Sequence, residues 1–316
     1  MDTPRQTGGC FTKKTRDLGI AGQEMKKHDF LAALLFVLPA LLIYCFYFVY
    51  PIPASAYFSL FRWNGISPQK QYLGFGNWVR LAGDELFWKS LANNMILVVS
   101  SIVVQLPMGL ALGLLVSSQL KGVRLFKLLY FIPMMLSAVA IGITWKFIYE
   151  PNYGLLNGAL RLVGLGSLAR GWLGEPALAL AAVIATICWQ FIPFYMVIFA
   201  AALAGIPQEL LEAAYIDGAS PVVTFFGITL PLLRNTIRTA AILSLTGSLK
   251  YFGLIYVMTE GGPDHATELL ATYMYKQAFT GFSMGYGSTV AVFMFLISFL
   301  LTVVVLRLGK REAVYA

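Results

Sequence analysis

Two stretches of the 316-residue chain carry polar and aromatic side chains inside apolar runs. One holds Trp189, Gln190, Phe191, Pro193, Phe194 and Tyr195; the other holds Ser244, Thr246, Gly247, Ser248, Lys250 and Tyr251. On a helix Ser244, Gly247, Ser248 and Tyr251 fall at i, i+3, i+4 and i+7 and share one face. Hydroxyls and amides there can bond a polar ligand, and flat rings can cover its C–H groups. Pro193 removes one helix hydrogen bond, and the expected kink opens room for a cavity. The rival reading is packing, because small residues let apolar helices approach closely and Trp or Phe also faces lipid.

Lys250 is the odd member. A lysine at membrane depth costs about 2.5–3.5 kcal/mol unless it is paired or hydrated. It lies beside the face of Gly247 on the helical wheel. It can answer an acidic group on a ligand, pair with a partner chain or with Glu260, or snorkel to the surface. Catalysis is poorly served by the same runs. No HExxH occurs, no Asp or Glu lies deep in an apolar run, and Ser244 and Ser248 lack a nearby base. There is no G-x-x-x-x-G-K-[ST] phosphate loop, so ATP hydrolysis by this chain is excluded.

A third stretch, 205–235, is acidic and sharply punctuated. Pro207 can open a helix. Gln208, Glu209 and Glu212 put negative character in its first turns, as the helix dipole favours. Leu210, Leu211, Ala214 and Tyr215 recur at helical spacing. Asp217-Gly218 stops the helix, with Gly218 free to turn left-handed. A second amphipathic piece runs from Pro221 to Leu230 and is expected to stop at Pro231. One reading is a helix lying on lipid headgroups, but such helices are usually rich in Lys and Arg. An acidic, short, sharply turned helix suits a protein partner better.

These stretches sit in a membrane chain. Hydrophobic residues make up 58% and charged residues 12%, with mean hydropathy +0.73. A soluble chain carries about 25% charged residues, so a soluble domain and disorder are both excluded. The cysteines Cys10, Cys45 and Cys188 are scattered, and His28 and His265 are the only histidines, which excludes a disulfide scaffold and a Cys- or His-rich metal centre. Charge-free windows at 30–61, 90–120, 128–145, 176–208 and 277–306 each hold one apolar span. A further span at 239–259 is interrupted only by Lys250. Backbone groups in lipid must be satisfied internally, so six helices are expected near 30–50, 93–117, 126–149, 177–204, 236–258 and 286–308. The first is too long and too far from the start for a cleaved signal peptide.

With the N-terminus inside, the inner segments hold 14 Lys and Arg and the outer ones 7. That excess places both termini in the cytoplasm. The net charge of +8 then reflects topology and contact with anionic lipid rather than nucleic acid. The reading is therefore a polar arm 1–29, a membrane domain 30–308 with the cytoplasmic loop 205–235, and a tail 309–316. The arm carries no readable motif, and nothing apolar precedes Cys10 to suggest lipid attachment. No internal repeat is obvious, and the spans lack the midplane acids a self-sufficient secondary transporter would need.

The pattern Glu212-Ala213-Ala214, Asp217-Gly218-Ala219, Ile228, Leu230-Pro231 resembles the EAA loop of permease subunits in binding-protein-dependent ABC importers, in spacing as well as in residues. Thr259-Glu260-Gly261-Gly262-Pro263, Thr267 and the run Tyr273 to Phe279 look like the external loop of the sugar-importing branch. So does the entry 38–66. The resemblance implies an all-α integral membrane fold, the six-helix type I importer core, in the cytoplasmic membrane of a bacterium or archaeon. It implies a heterodimer with a second permease, two separate ATPase subunits carrying ATP and magnesium, and an extracellular binding protein that delivers a sugar or oligosaccharide. No cofactor is expected on this chain. Glu212, Ala213, Ala214, Asp217, Gly218 and Ala219 would form the helix that docks the ATPase, although Asp217 also suits a helix-end cap. The maltose-type permease contacts sugar from its fourth and fifth spans. Motif-anchored counting carries those contacts onto Trp189, Gln190, Phe191 and Phe194, and onto Ser244, Gly247, Ser248 and Tyr251, with Lys250 beside them. Few of these match the maltose permease in residue type, which leaves the cargo open. Glycerol phosphate and an acidic, uronate-containing glycan are the alternatives.

Overall fold

A computed structural model describes residues 27–118 and 121–310, with side chains from 34 to 307 outside that gap. The arm before residue 27, with Cys10, and the tail beyond 310 lie outside the described residues. The chain divides into two units, Met1–Pro51 and Ile52–Ala316.

In the first unit α1 (Lys27–Tyr44) runs into a wide π turn (Cys45–Val49). The apolar run Leu34–Phe58 is long enough to cross a membrane, and it passes the expected end near residue 50. Pro51 does not stop it, because proline suits the first turn of the next helix, α2 (Pro51–Phe58).

The second unit opens with α2 and an antiparallel hairpin, β1 (Phe61–Arg62) and β2 (Gln71–Tyr72), in which Phe61 faces Tyr72. After α3 (Gly76–Ala82) comes the second span, built from α4 (Glu85–Ser100), a π turn (Ser101–Gln105) and α5 (Leu106–Ser117). It starts eight residues before the expected 93, because Asp84 caps α4 by accepting from Phe87 N at 3.1 Å. The cap ignores where the apolar run begins. The Asp84 carboxylate also accepts from the hydroxyls of Tyr273 and Tyr286. Burial alone would raise its pKa, but these donors hold it below the usual carboxylate range.

The third span departs from the expected single helix. α6 (Val123–Met135) and α7 (Ala138–Ile148) meet at 100°. Leu136 and Ser137 are extended, and Ser137 restarts the helix by accepting from Ala140 N at 3.2 Å. A Ser N-cap inside an apolar window is invisible to hydropathy. Counting this bent pair as one span, the described residues hold six, as expected; without it they hold five. α8 (Leu155–Leu162) leads to α9 (Pro176–Ala204), which continues unbroken through Pro193.

The loop after α9 carries α10 (Gln208–Ile216), α11 (Pro221–Thr224) and α12 (Leu230–Leu232), with a π turn at Phe225–Thr229. Pro231 does not end this piece as expected. It sits in the first turn of α12, where its missing N–H follows the wide turn without loss. α13 (Arg234–Leu249) and α14 (Gly253–Met258) form the fifth span, which breaks at Lys250 rather than running as one helix. α15 (Leu270–Tyr275), a π turn (Lys276–Thr280) and α16 (Met284–Lys310) complete the chain.

Packing follows small residues. A Cβ on Gly109 would lie 2.5 Å from Tyr195 Cβ, and one on Gly113 3.0 Å from Phe199 Cβ, so α5 lies directly on α9. Gly109→Leu is therefore expected to destabilise the purified chain by about 2 kcal/mol. A drop of several degrees in Tm checks this. The 27 residues of α16 run about 40 Å. At its start Gly285 N donates to Trp63 O at 3.1 Å, and near its end Val305 shares a cavity with Pro231 and Arg234. The hairpin and the α10–α12 loop thus lie at opposite ends of this helix.

Candidate functional site

Between α6, α9 and α13 lies a cavity of about 250 Å³. α9 supplies Ile187, Phe191, Phe194 and Tyr195, and α13 supplies Leu243, Ser244, Gly247 and Ser248. Gln105 from the π turn, Met134 from α6 and Tyr251 from the break after α13 close it. Phe191 and Tyr251 meet edge to face at 6.0 Å. Gln105 Nε2 donates to Ser101 Oγ at 3.2 Å, so its amide is fixed in place. Ser244 Oγ is buried in the cavity wall, next to the Tyr195 side chain.

The structure thus gathers Phe191, Phe194, Ser244, Gly247, Ser248 and Tyr251 from the sequence-derived set. Tyr251 arrives by a different route, since α13 has ended before it. Three members go elsewhere. Trp189 packs edge-on against Trp145 at 5.3 Å, in the core with α7. Gln190 is buried away from the cavity, with Oε1 lacking a hydrogen-bond partner. Lys250 lines a separate cavity of about 380 Å³ with Met294, Ser298 and Thr302 of α16. The wheel put Lys250 beside Gly247, but it turns to the α16 side together with Thr246, one turn earlier on α13. No charged side chain lines the 250 Å³ cavity. Gln105 was missed, although a glutamine in a charge-free window is itself a signal.

At the other end, α10 stops as the sequence suggested. Gly218 has φ +77, Gly218 N bonds Tyr215 O at 3.1 Å and Ala219 N bonds Ala214 O at 2.9 Å. These are the paired bonds of a Schellman stop. Ala214 is buried, whereas Glu212, Ala213, Asp217 and Gly218 are exposed. Tyr215 and Ile216 are each 82% exposed, so Tyr215 does not share the inward face with Ala214. Glu212 and Leu211 also border a cleft of about 850 Å³ reaching Lys127 and the ends of α5 and α9. α10 therefore offers an exposed acidic and aromatic surface on a rigid turn.

A buried carboxylate in the opposite loop escaped the sequence reading. The Glu268 side chain is 0% exposed and accepts from Lys276 Nζ at 2.6 Å; His265 Nδ1 lies 3.1 Å away. Lys276 Nζ also donates to Glu260 O at 2.6 Å. Gly261, at φ +85, leaves space that a Cβ would take from the Glu268 carboxylate. Thr259 and Thr267 share a hydroxyl hydrogen bond of 2.7 Å, and Thr267 donates to Gly262 O at 2.7 Å. The Thr-Glu-Gly-Gly-Pro segment is thus a locked loop. An acid flanked by Thr267 and Leu269-Leu270 was the available signal.

Comparison with known proteins gives this geometry a context. Residues 81–313 match the family described as "Binding-protein-dependent transport system inner membrane component". A probable ABC transporter permease protein of Bacillus subtilis is 37% identical, over 88% of this chain and 97% of its own. The trehalose/maltose transport system permease protein of Thermococcus litoralis is 32% identical, over 87% of this chain and 92% of its own. A chain of the bacterial alginate ABC transporter, solved with an alginate pentasaccharide-bound periplasmic protein, superposes with TM-score 0.80 at 21% identity. The match covers 90% of this chain and 96% of that one, and shows a shared fold. The turn after α10, the interrupted fifth span and the locked loop all fall within the matched region, and the chain belongs to the family of inner-membrane components of binding-protein-dependent transport systems.

Proposed function

We propose that this chain is the cargo-contacting permease of an ABC importer for a sugar or oligosaccharide. It would sit in the cytoplasmic membrane of a bacterium or archaeon with both termini inside. The observation that carries the reading is the cavity between α9 and α13, with four aromatic rings, the hydroxyls of Ser244 and Ser248 and the amide of Gln105. Rings cover sugar C–H faces and hydroxyls exchange hydrogen bonds with sugar hydroxyls. The Thermococcus relative's trehalose/maltose name supports the cargo class. A volume of about 250 Å³ suits one or two sugar rings, and a second permease would complete the path. The polar cavity of about 840 Å³ among the hairpin, α3 and the start of α16 would face an extracellular binding protein, as would the locked loop.

Energy arrives from outside the chain. Two ATPase subunits would carry ATP and magnesium and dock α10 through Glu212, Tyr215 and Asp217, while this chain catalyses nothing and binds no cofactor. The absence of a cation from the cavity lining favours a neutral sugar over a phosphate or uronate. Lys250, turned toward α16, suits a partner-chain or surface role better than cargo contact.

Uptake of radiolabelled oligosaccharides into vesicles holding the whole complex tests this. Tyr251→Ala and Phe194→Ala are each expected to raise KM about tenfold, the loss of one buried ring contact. Lys250→Met is expected to leave KM within about twofold for neutral and uronate glycans alike. Unchanged KM in both aromatic variants would sink the cavity, and a loss confined to uronates in Lys250→Met would restore the acidic-cargo reading.

A further inference from the structure

α13 ends at Leu249 in the middle of the candidate span Arg234–Met258. A helix end there leaves carbonyls without partners in an apolar region, which membranes do not tolerate. Tyr251 N donates to Ser248 O at 3.2 Å, and Asn94 of α4 supplies the buried side-chain partner. Its fully buried amide Nδ2 donates to Ser248 O at 2.9 Å and reaches Leu249 O at 3.5 Å. Its Oδ1 accepts from Leu270 N at 2.7 Å, the first N–H of α15. One side chain therefore joins the cavity wall to the end of the locked loop, because Ser248 lines the cavity.

The loop holds itself and is held on the same helix. Asn93 Nδ2 donates to Ala266 O at 3.1 Å and Glu268 O at 3.0 Å, and Lys89 Nζ donates to Asp264 O at 2.7 Å. With Thr259, Thr267 and the Glu268–Lys276 pair locked inside it, the loop has little internal slack. The covalent route from loop to cavity passes the break at Lys250–Phe252, where φ and ψ leave helical values. A break of that kind absorbs motion. The buried amide is the stiffer connection.

We propose that Asn94 is a positioning residue that sets the wall Ser244–Leu249 according to how the loop Thr259–Lys276 is seated, so that an event at the loop reaches the cavity through one side chain. This rests on the importer reading above, in which that loop faces the binding protein.

The test uses the complete complex in vesicles, with its binding protein saturated from a defined mixture of neutral and uronic oligosaccharides. Asn94→Asp keeps the acceptor for Leu270 N but turns a carboxylate toward the two carbonyls. Basal ATP hydrolysis is expected to stay within about twofold and the apparent KM for loaded binding protein to hold. The stimulated kcat is expected to fall at least tenfold. If this variant fails to assemble, Asn94→Ser, whose shorter hydroxyl serves one side at most, carries the same comparison. Asn93→Ala, which loosens the loop alone, is expected to raise KM instead. Basal and stimulated rates falling in the same proportion would show a merely structural role and overturn the proposal. Equal stimulation in Asn94→Asp and wild type would overturn it too, with the importer reading intact. A wild-type complex that ignores loaded binding protein would overturn both.

Discussion

Reversing both exposed acids of α10, Glu212→Lys with Asp217→Lys, is expected to abolish transport and the ATP hydrolysis that loaded binding protein stimulates. In the proposed reading α10 docks the ATPase, and its turn presents it rigidly, with Ala214 anchored inward and Glu212, Tyr215, Ile216 and Asp217 turned out. Central anchors in such an interface are worth about 2 kcal/mol or more each. Two reversed charges add repulsion, so a drop of at least about a hundredfold follows. Tyr215→Ser tests the apolar half of the same surface and should cost about tenfold by itself. Co-purification separates two failures. Loss of the ATPases from the complex means docking was broken. Full assembly with unstimulated hydrolysis means that force no longer passes through α10. If assembly and stimulation both persist, α10 is not the docking helix, and membership of the family stands on sequence alone.

Much of this was legible before any coordinate. Gly218 requires a left-handed turn, the Glu-Ala-Ala spacing fits nine helical residues, and charge-free windows fix where backbone must be helical. Gly109 and Gly113, four apart in an apolar run, suit close helix approach, and they make it with α9. The illegible features share one physical origin, which is that hydropathy counts side chains while breaks are made by backbone partners. Ser137 restarts α7, and Asn94 receives the carbonyls at the end of α13, each inside an apolar window. Lys250, beside the cavity face rather than on it, turned with Thr246 to the α16 wall, while Tyr251 reached the cavity from the break. Trp189 and Gln190 came from motif-anchored counting, which cannot tell which of several consecutive residues on a helix faces a given neighbour. Glu268 was overlooked because its partners lie eight residues ahead in Lys276 and three behind in His265, a pairing that only the loop's fold creates.

That last group gives the largest expected effect on stability. Lys276→Met should destabilise the purified chain by about 3 kcal/mol, the cost of leaving a buried carboxylate without its cation. The figure sits at the low end because the Lys276 side chain is 31% exposed and water can partly replace it. Glu268→Gln should cost less, since an amide can still accept from Lys276 Nζ without burying a charge. The double variant Glu268→Gln with Lys276→Met separates two accounts of the site. If the penalty in Lys276→Met is the orphaned charge, the double variant recovers most of the lost stability, measured as Tm in detergent at neutral pH. If the ammonium matters chiefly by holding Glu260 O, to which it also donates, the double variant stays as unstable as Lys276→Met. Recovery of Tm without recovery of binding-protein stimulation would assign the ion pair to loop geometry rather than to folding. The buried pair would then be kept for the shape it imposes on Thr259–Lys276, since replacing such a pair by neutral groups is often harmless to stability.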